Sequence, residues 1–385
     1  MEKLTIERRS PKMFTERFNP DVLAKMLDAN SPSANEVSRL LQMDSLDVPE
    51  LARLILASDN ETSRLEVISA GNQRRESVWQ KRLFLMPPLY ISDGDPNREG
   101  CLDYCVYCPW RHGNVPADKL TRMNPDEVRR EAAHLLQLGY GDIELVAATD
   151  PELLKGQNAA RMVAATREAG AQNVGINFFP LKRSGDYRAL ADAGCTFAIV
   201  WQETYLADIY KKVHPRGPKA NMQYRLEAHD RALQGGIKTA GVAFLGGLAD
   251  WRFEALATLD HALYLRKEYG ANIIFGMPRW KDGAGIPMHT APAFYGDKEY
   301  EFVGALYSLA IPEALPWFST REHFDLSARC AKGGGCMFTL DCSTEVGGYT
   351  KQGGFAQFPV YSRSFAQGVE WLKNLGYDPQ IHLPW

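Results

Sequence analysis

FLMPPLYISDGDPNREGCLDYCVYC, residues 84–108, joins two kinds of sequence. FLMPPLYIS (84–92) is a short apolar run that reads as a buried β-strand. The loop after it carries cysteines at 101, 105 and 108, a C-x3-C-x2-C spacing. The chain has 385 residues and seven cysteines, so three of the seven fall within eight positions.

Downstream, strand-like runs recur: DIELVA (142–147), NVGINF (173–178), CTFAIVW (195–201), IKTAGVAFL (237–245), ANIIFGM (271–277), LPWFS (315–319) and GCMFTL (335–340). Helical stretches such as PDEVRREAAHLLQLG and WRFEALATLDHALYLRKEYG lie between them. Alternating β and α segments imply a parallel sheet with crossover helices. Eight strands predict an α/β fold, a TIM-type (β/α)8 barrel, complete or nearly so. Chemistry in such a barrel sits at the C-terminal ends of the strands, which places the cysteine loop at the mouth.

Residues 1–80 read as an N-terminal helical extension. PDVLAKMLDAN, SANEVSRLLQM and DVPELARLILAS repeat apolar residues at three- and four-residue spacing, with Ser31 and Ser33 as caps. Stripes of this kind bury core. Residues 81–345 form the barrel, and 346–385 a C-terminal segment whose SFAQGVEWLKNLG is a helix packed on it.

The chain has 44 Lys and Arg against 47 Asp and Glu, net −3, so no strong field draws it to nucleic acid or acidic lipid. MEKLTIERRSPKMF has no apolar run behind its basic residues, so no signal peptide is expected. No stretch approaches 18 uninterrupted apolar residues, so no membrane span is expected either. Clustered cysteines in odd number fit a reducing, cytoplasmic setting better than a disulfide framework.

The cysteine triplet admits three readings. Zinc would need His112 as an irregularly spaced fourth ligand. Cys105 and Cys108 alone would make a redox pair. An iron–sulfur cluster on three thiolates would leave one iron open to a small-molecule ligand, and this suits a loop at a barrel mouth best.

Further motifs narrow the choice: VWQETY (200–205), HPRGPK (214–219), YRLEAHDRALQGGI (224–237), FLGGLADWRFEALATLDHALYL (244–265), MPRW (277–280), STRE (319–322) and VGGY (346–349). With PPLYIS and the cysteine loop, they resemble the aromatic amino-acid lyase family of the radical S-adenosylmethionine (SAM) superfamily over about residues 84–365. Its members include tyrosine lyases of thiamin synthesis and hydrogenase maturation and the tryptophan lyase of nosiheptide synthesis.

The resemblance implies that Cys101, Cys105 and Cys108 hold a 4Fe–4S cluster whose fourth iron binds SAM. It implies SAM contacts from Trp110, Asp150, Gln202, Glu203 and Arg279, with core packing as the competing reading for Trp110, a helix cap for Asp150, and a structural ion pair for Glu203 and Arg279. Asp150 stands in Ala148-Thr149-Asp150, where the family has a Gly-Gly-Glu or Thr-Gly-Glu turn. Arg321 would hold the substrate carboxylate, with Tyr90 and Thr339 beside the amino acid. His214 and Lys219 would shape a loop. The implied activity is reductive SAM cleavage to a 5′-deoxyadenosyl radical, and fragmentation of tyrosine or tryptophan at Cα–Cβ or Cα–C. An electron donor such as flavodoxin or ferredoxin would be the protein partner.

Two alternatives stand beside this one. The same fold could act on another carboxylate-bearing metabolite, by hydrogen abstraction or adenosyl radical addition, or the chain could be an iron–sulfur carrier or sensor. Cys330, Cys336 and Cys342 could hold an auxiliary cluster, face substrate or pack as small apolar residues. A strand would hold Cys336 and Cys342 about 20 Å apart, against a single cluster. The hydrogenase-maturation branch carries its second cluster on a cysteine-rich tail. The sequence given ends at LGYDPQIHLPW, an expectation against that role.

Overall fold

The structure is a computed structural model and describes residues 12–385. The signal-peptide reading rests largely on residues outside that range. No helix among the described residues is long and apolar enough to cross a membrane.

Ten strands form one parallel sheet: β1 (Arg82–Leu85), β2 (Pro88–Ser92), β3 (Ile143–Ala147), β4 (Val174–Asn177), β5 (Cys195–Glu203), β6 (Thr239–Phe244), β7 (Asn272–Gly276), β8 (Leu315–Phe318), β9 (Met337–Phe338) and β10 (Asp378–Gln380). Their order is β10-β1-β9-β8-β7-β6-β5-β4-β3-β2. All eight strand-like runs in the sequence are found. The first splits in two at Pro87 and Pro88, and the last shrinks to Met337–Phe338. Proline has no N–H to give a ladder, and here the chain changes partners. Phe84 N and Met86 N donate to the carbonyls of Cys336 and Phe338 (2.8 and 3.0 Å), whereas Glu144 N reaches Pro87 O (3.1 Å). One continuous run therefore pairs with β9 below and β3 above, and the eight-strand ring is closed through the covalent chain.

β10 is the strand the sequence does not announce, because DPQ has neither apolar character nor strand propensity. It pairs with Arg82–Phe84 of β1. The residues after it are held by Asp142, which accepts from Leu383 N (2.6 Å) and lies 3.1 Å from His382 Nδ1. Leu383 and Trp385 then pack with Trp79, Phe84, Met86, Phe197, Ile199, Ile274, Leu315 and Met337 as an apolar floor inside the barrel.

Crossover helices begin on legible caps. Asn124 Oδ1 accepts from Glu127 N (3.0 Å) while Glu127 Oε2 accepts from Asn124 N (2.9 Å), opening Pro125–Leu138. The extension forms helices Pro20–Leu27, Ala34–Leu41, Val48–Leu56 and Glu61–Trp79. Ser33 caps the second (3.2 Å to Glu36 N), whereas Ser31 caps none of them. Leu51, Leu54 and Ile55 are fully buried, as their spacing requires. Helix Glu61–Trp79 lies along helix Asp297–Ala310 at a distance set by Gly71, where an added Cβ would overlap the Ala305 carbonyl. Gly71→Ala gains helix propensity but forces the two helices apart. We expect a net loss of about 1–3 kcal/mol, read as a lower midpoint in urea unfolding.

Candidate active site

The cysteine loop leaves the C-terminal end of β2 and is pinned on both sides. Gly94 and Gly100 take left-handed backbone conformations (φ 127° and 87°), open to glycine without strain. Leu102 N donates to Thr149 O (3.1 Å) beyond β3. Asp103 is buried in the loop and accepts from the Thr149 hydroxyl and from Lys219 N (2.6 Å). Cys101, Cys105 and Cys108 consequently line one cavity at the barrel mouth, with Tyr90, Trp110, Glu203, Arg321 and Thr339.

None of the three cysteines is in a disulfide. Burial raises all three thiols, Cys101 to about 12, so they become thiolates only when a metal takes up the charge. No three His, Cys, Asp or Glu side chains among the described residues converge closely enough for a single metal ion. Zinc would need a fourth protein ligand beside the three thiols, whereas an iron–sulfur cluster can rest on three. His112 is engaged elsewhere, its Nδ1 2.8 Å from the Cys101 carbonyl and its Nε2 3.2 Å from Glu99. The donor set fits a 4Fe–4S cluster on three cysteines, with SAM completing it.

Arg321 follows β8, and its guanidinium lies over the Phe358 ring, 3.5 Å from the centroid. No carboxylate pairs with it among the described residues. A flat, always-charged fork facing a cavity without a counter-ion is a receptor for a carboxylate. Tyr90 meets Trp110 edge-on at 5.3 Å, and Trp110 is anchored through Nε1 to Phe355 O (3.0 Å). The fields of Arg321, Glu144, Cys342 and Cys108 all reach the Tyr90 phenol, which burial pushes well up. Thr339 lines the cavity with its hydroxyl already committed, donating to Met86 O (2.8 Å) and accepting from Trp317 Nε1 (3.0 Å). Glu203 ends β5 with φ 72°, a costly conformation for a side chain with a Cβ. Its carboxylate meets Lys219 Nζ at 2.6 Å.

Three expected site residues lie outside this lining. Asp150 is buried and accepts from Arg122 Nε and Nη2 (2.5 and 2.6 Å), Ser92 Oγ (2.6 Å) and Glu152 N (2.9 Å). A carboxylate so saturated has nothing left for a ligand ammonium, and it anchors the turn after β3. Gln202, near the end of β5, donates to Thr204 O just past the strand (3.4 Å). Arg279 is bound by Glu322 (Nε 3.0 Å) and Asp297 (2.8 Å), the structural ion pair rather than the cofactor contact. Cys342 alone of the second cysteine group faces the cavity, while Cys330 and Cys336 are buried elsewhere in the core.

Residues the sequence reading passed over complete the cavity: Glu144, Asn177, Trp317, Gln357 and Phe358, and Lys219, expected to shape a loop, lines it too. The strand alternation in IELVA could have found Glu144, since it shares the inward face with Val146. Burial raises its carboxyl from 4.5 to about 8. Between those values the folded chain keeps a proton that the unfolded chain has released, so stability falls as pH rises through that window and levels off above it. Buried Glu254 behaves likewise. Glu144→Gln removes one of these contributions, and urea unfolding from pH 4.5 to 8 should show a slope shallower by up to about 1.4 kcal/mol per pH unit.

No family model matches the chain. It is 28% identical over 323 residues to the 2-iminoacetate synthase of Salmonella typhimurium, covering 81% of this chain and 80% of that protein. It is 28% identical over 304 residues to the 2-iminoacetate synthase of Escherichia coli, covering 77% and 76%. The crystal structure of HydG, a maturase of the FeFe-hydrogenase, superposes with a TM-score of 0.87 at 25% identity, over 94% of this chain and 80% of HydG. The likeness extends through the barrel that carries the three-thiol loop, and in sequence and fold the chain is similar to these proteins.

Proposed function

We propose that this chain is a radical SAM carbon–carbon lyase that fragments a free aromatic amino acid, tyrosine or tryptophan. The observation that carries the reading is Arg321, an uncompensated guanidinium sharing one cavity with three unpaired thiols. When bound, the cluster and SAM supply a 5′-deoxyadenosyl radical by one-electron cleavage of the sulfonium.

The chain's own residues do the positioning. Cys101, Cys105 and Cys108 hold the cluster at the mouth. Arg321 clamps the substrate carboxylate through two parallel hydrogen bonds, which fixes the direction of the amino nitrogen. Phe358 holds the guanidinium flat. Tyr90, Trp110, Trp201 and Trp317 wall the cavity and exclude water. The Glu203–Lys219 pair presents polar atoms to the SAM side, and Thr339 steadies Trp317. A small soluble electron donor such as flavodoxin or ferredoxin is the partner we assign, and a reducing cytoplasm the setting. The division at residues 80 and 345 separates helical extension, barrel and C-terminal segment.

Anaerobic incubation of the reconstituted protein with SAM, dithionite and each amino acid tests the reading. Tyrosine should yield p-cresol and a two-carbon imino acid, and tryptophan 3-methylindole-2-carboxylate or a simpler fragment, each with 5′-deoxyadenosine. No 5′-deoxyadenosine with any aromatic amino acid would defeat it. An adenosylated product without free 5′-deoxyadenosine would install radical addition instead. Cys105→Ala should abolish SAM cleavage, which a mere carrier would not show in the first place. Arg321→Lys keeps the charge but loses the fork. We expect KM for the amino acid to rise at least about tenfold, with iron content and SAM binding retained.

A further inference from the structure

At the bottom of the cavity, Glu144 is the one carboxyl resting on the apolar floor. In the register of the ring it stands opposite Pro88, one inward-facing position deeper than Val146 and Tyr90, which face each other above it. Asn177 stands opposite Val146 on β4 and reaches down, its Nδ2 donating to Glu144 Oε1 at 3.0 Å. The second oxygen has no hydrogen-bond partner among the described residues, yet it is not among the buried atoms sealed away from space. Beneath lie Met86, Phe197, Ile199 and Met337, which offer nothing polar. A carboxyl buried with half its capacity unused is costly, and nothing in the packing requires one here.

The direction of the cavity supplies a use. With the carboxylate on Arg321 at the mouth, the side chain of an amino acid points down past Tyr90 and Cys342, toward Glu144. The fields of Arg321 and Glu144 both reach the Tyr90 phenol and the Cys342 thiol, so the four groups share one neighbourhood. The side walls are Trp201 and Trp317, set edge to face at 6.4 Å between centroids. Gly276 allows the Trp201 ring to lie flat against β7, where any Cβ would collide with it. The result is a slot for a flat ring with one polar group at its far end.

We propose that Glu144, oriented by Asn177, reads the substrate's ring. It engages a hydrogen-bond donor carried on the aromatic side chain, a phenol O–H or an indole N–H, and turns away a bare phenyl ring. This rests on the amino-acid lyase reading above. Burial favours the protonated carboxyl near neutrality; with Oε1 accepting from Asn177, the free oxygen is the hydroxyl, which can accept from a phenol O–H or an indole N–H and can donate to a phenol oxygen. A site built around such a group discriminates strongly against an analogue lacking the donor, because the protein's polar atom is then left unpaired.

The test compares wild type, Glu144→Gln, Glu144→Leu and Asn177→Ala as reconstituted holoenzymes with SAM. Turnover of tyrosine, tryptophan and phenylalanine gives one readout. Wild type should favour a donor-bearing ring over phenylalanine by at least about a hundredfold in kcat/KM. Glu144→Leu should cut that preference to within a few-fold, Asn177→Ala should lower it about tenfold, and Glu144→Gln, which still accepts, should keep most of it. The second readout needs no lyase chemistry: binding of p-cresol, 3-methylindole and toluene, followed by quenching of tryptophan fluorescence. At least one donor-bearing ring should bind wild type at least tenfold more tightly than toluene, and equally with toluene in Glu144→Leu. Equal binding of all three rings by wild type, or a preference untouched by Glu144→Leu and Asn177→Ala, overturns the proposal. A wild type that turns over none of the amino acids defeats the lyase reading, while the ring-binding comparison still decides the role of Glu144.

Discussion

Two consecutive prolines govern the architecture. Pro87 and Pro88 cannot donate to a ladder, so the strand that contains them pairs on one side below and the other side above. That change of partners closes the ring without an extra strand. The main-chain carbonyls around it are taken up by side chains from the next strand and the C-terminal segment: Met86 O by Thr339 and Pro88 O by the Tyr349 hydroxyl (2.9 Å). The upper half then carries Tyr90 into the cavity and the cysteine loop over its mouth. Shifting this strand by one residue would move Tyr90 to the opposite face and the thiols with it.

The charges divide into those that build and those that wait. Asp150, Arg122, Arg279 and Glu322 are fully engaged with each other or with their neighbours, and they hold the loops in place. Arg321 and the free oxygen of Glu144 are unsatisfied, at opposite ends of the same space. For Glu144 folding alone gives no return, since a buried polar group without a partner opposes stability, whereas Arg321 is part-buried and rests on Phe358 with its fork turned to the cavity. Their persistence marks where a ligand completes the structure.

The barrel and the cluster loop were legible in the sequence because both are local. Strand runs, helical periodicity and cysteine spacing are written within a few residues. Glu203 and Arg321 were also legible, since each directly follows a strand and carries a charge. What escaped notice depends on contacts between distant residues. Asp150 looks like a ligand until Arg122, 28 residues away, takes both its oxygens. For Arg279 the sequence left cofactor contact and ion pair both open, and the partner that makes the pair, Glu322, comes from the next βα loop. β10 has no strand character of its own and exists because β1 leaves an edge open beside Asp142. Glu144 was visible in principle, but a lone acid in a strand reads as solvent-facing until the ring closes around it.

The apolar floor that Leu383 and Trp385 help to seal has a kinetic meaning. A barrel stoppered below has a single door. Whatever reaches the depth of Glu144 must pass the cysteine loop first, and whatever then sits at the loop closes the way behind it. A reactive species generated above such a blind pocket meets its target before it can meet solvent.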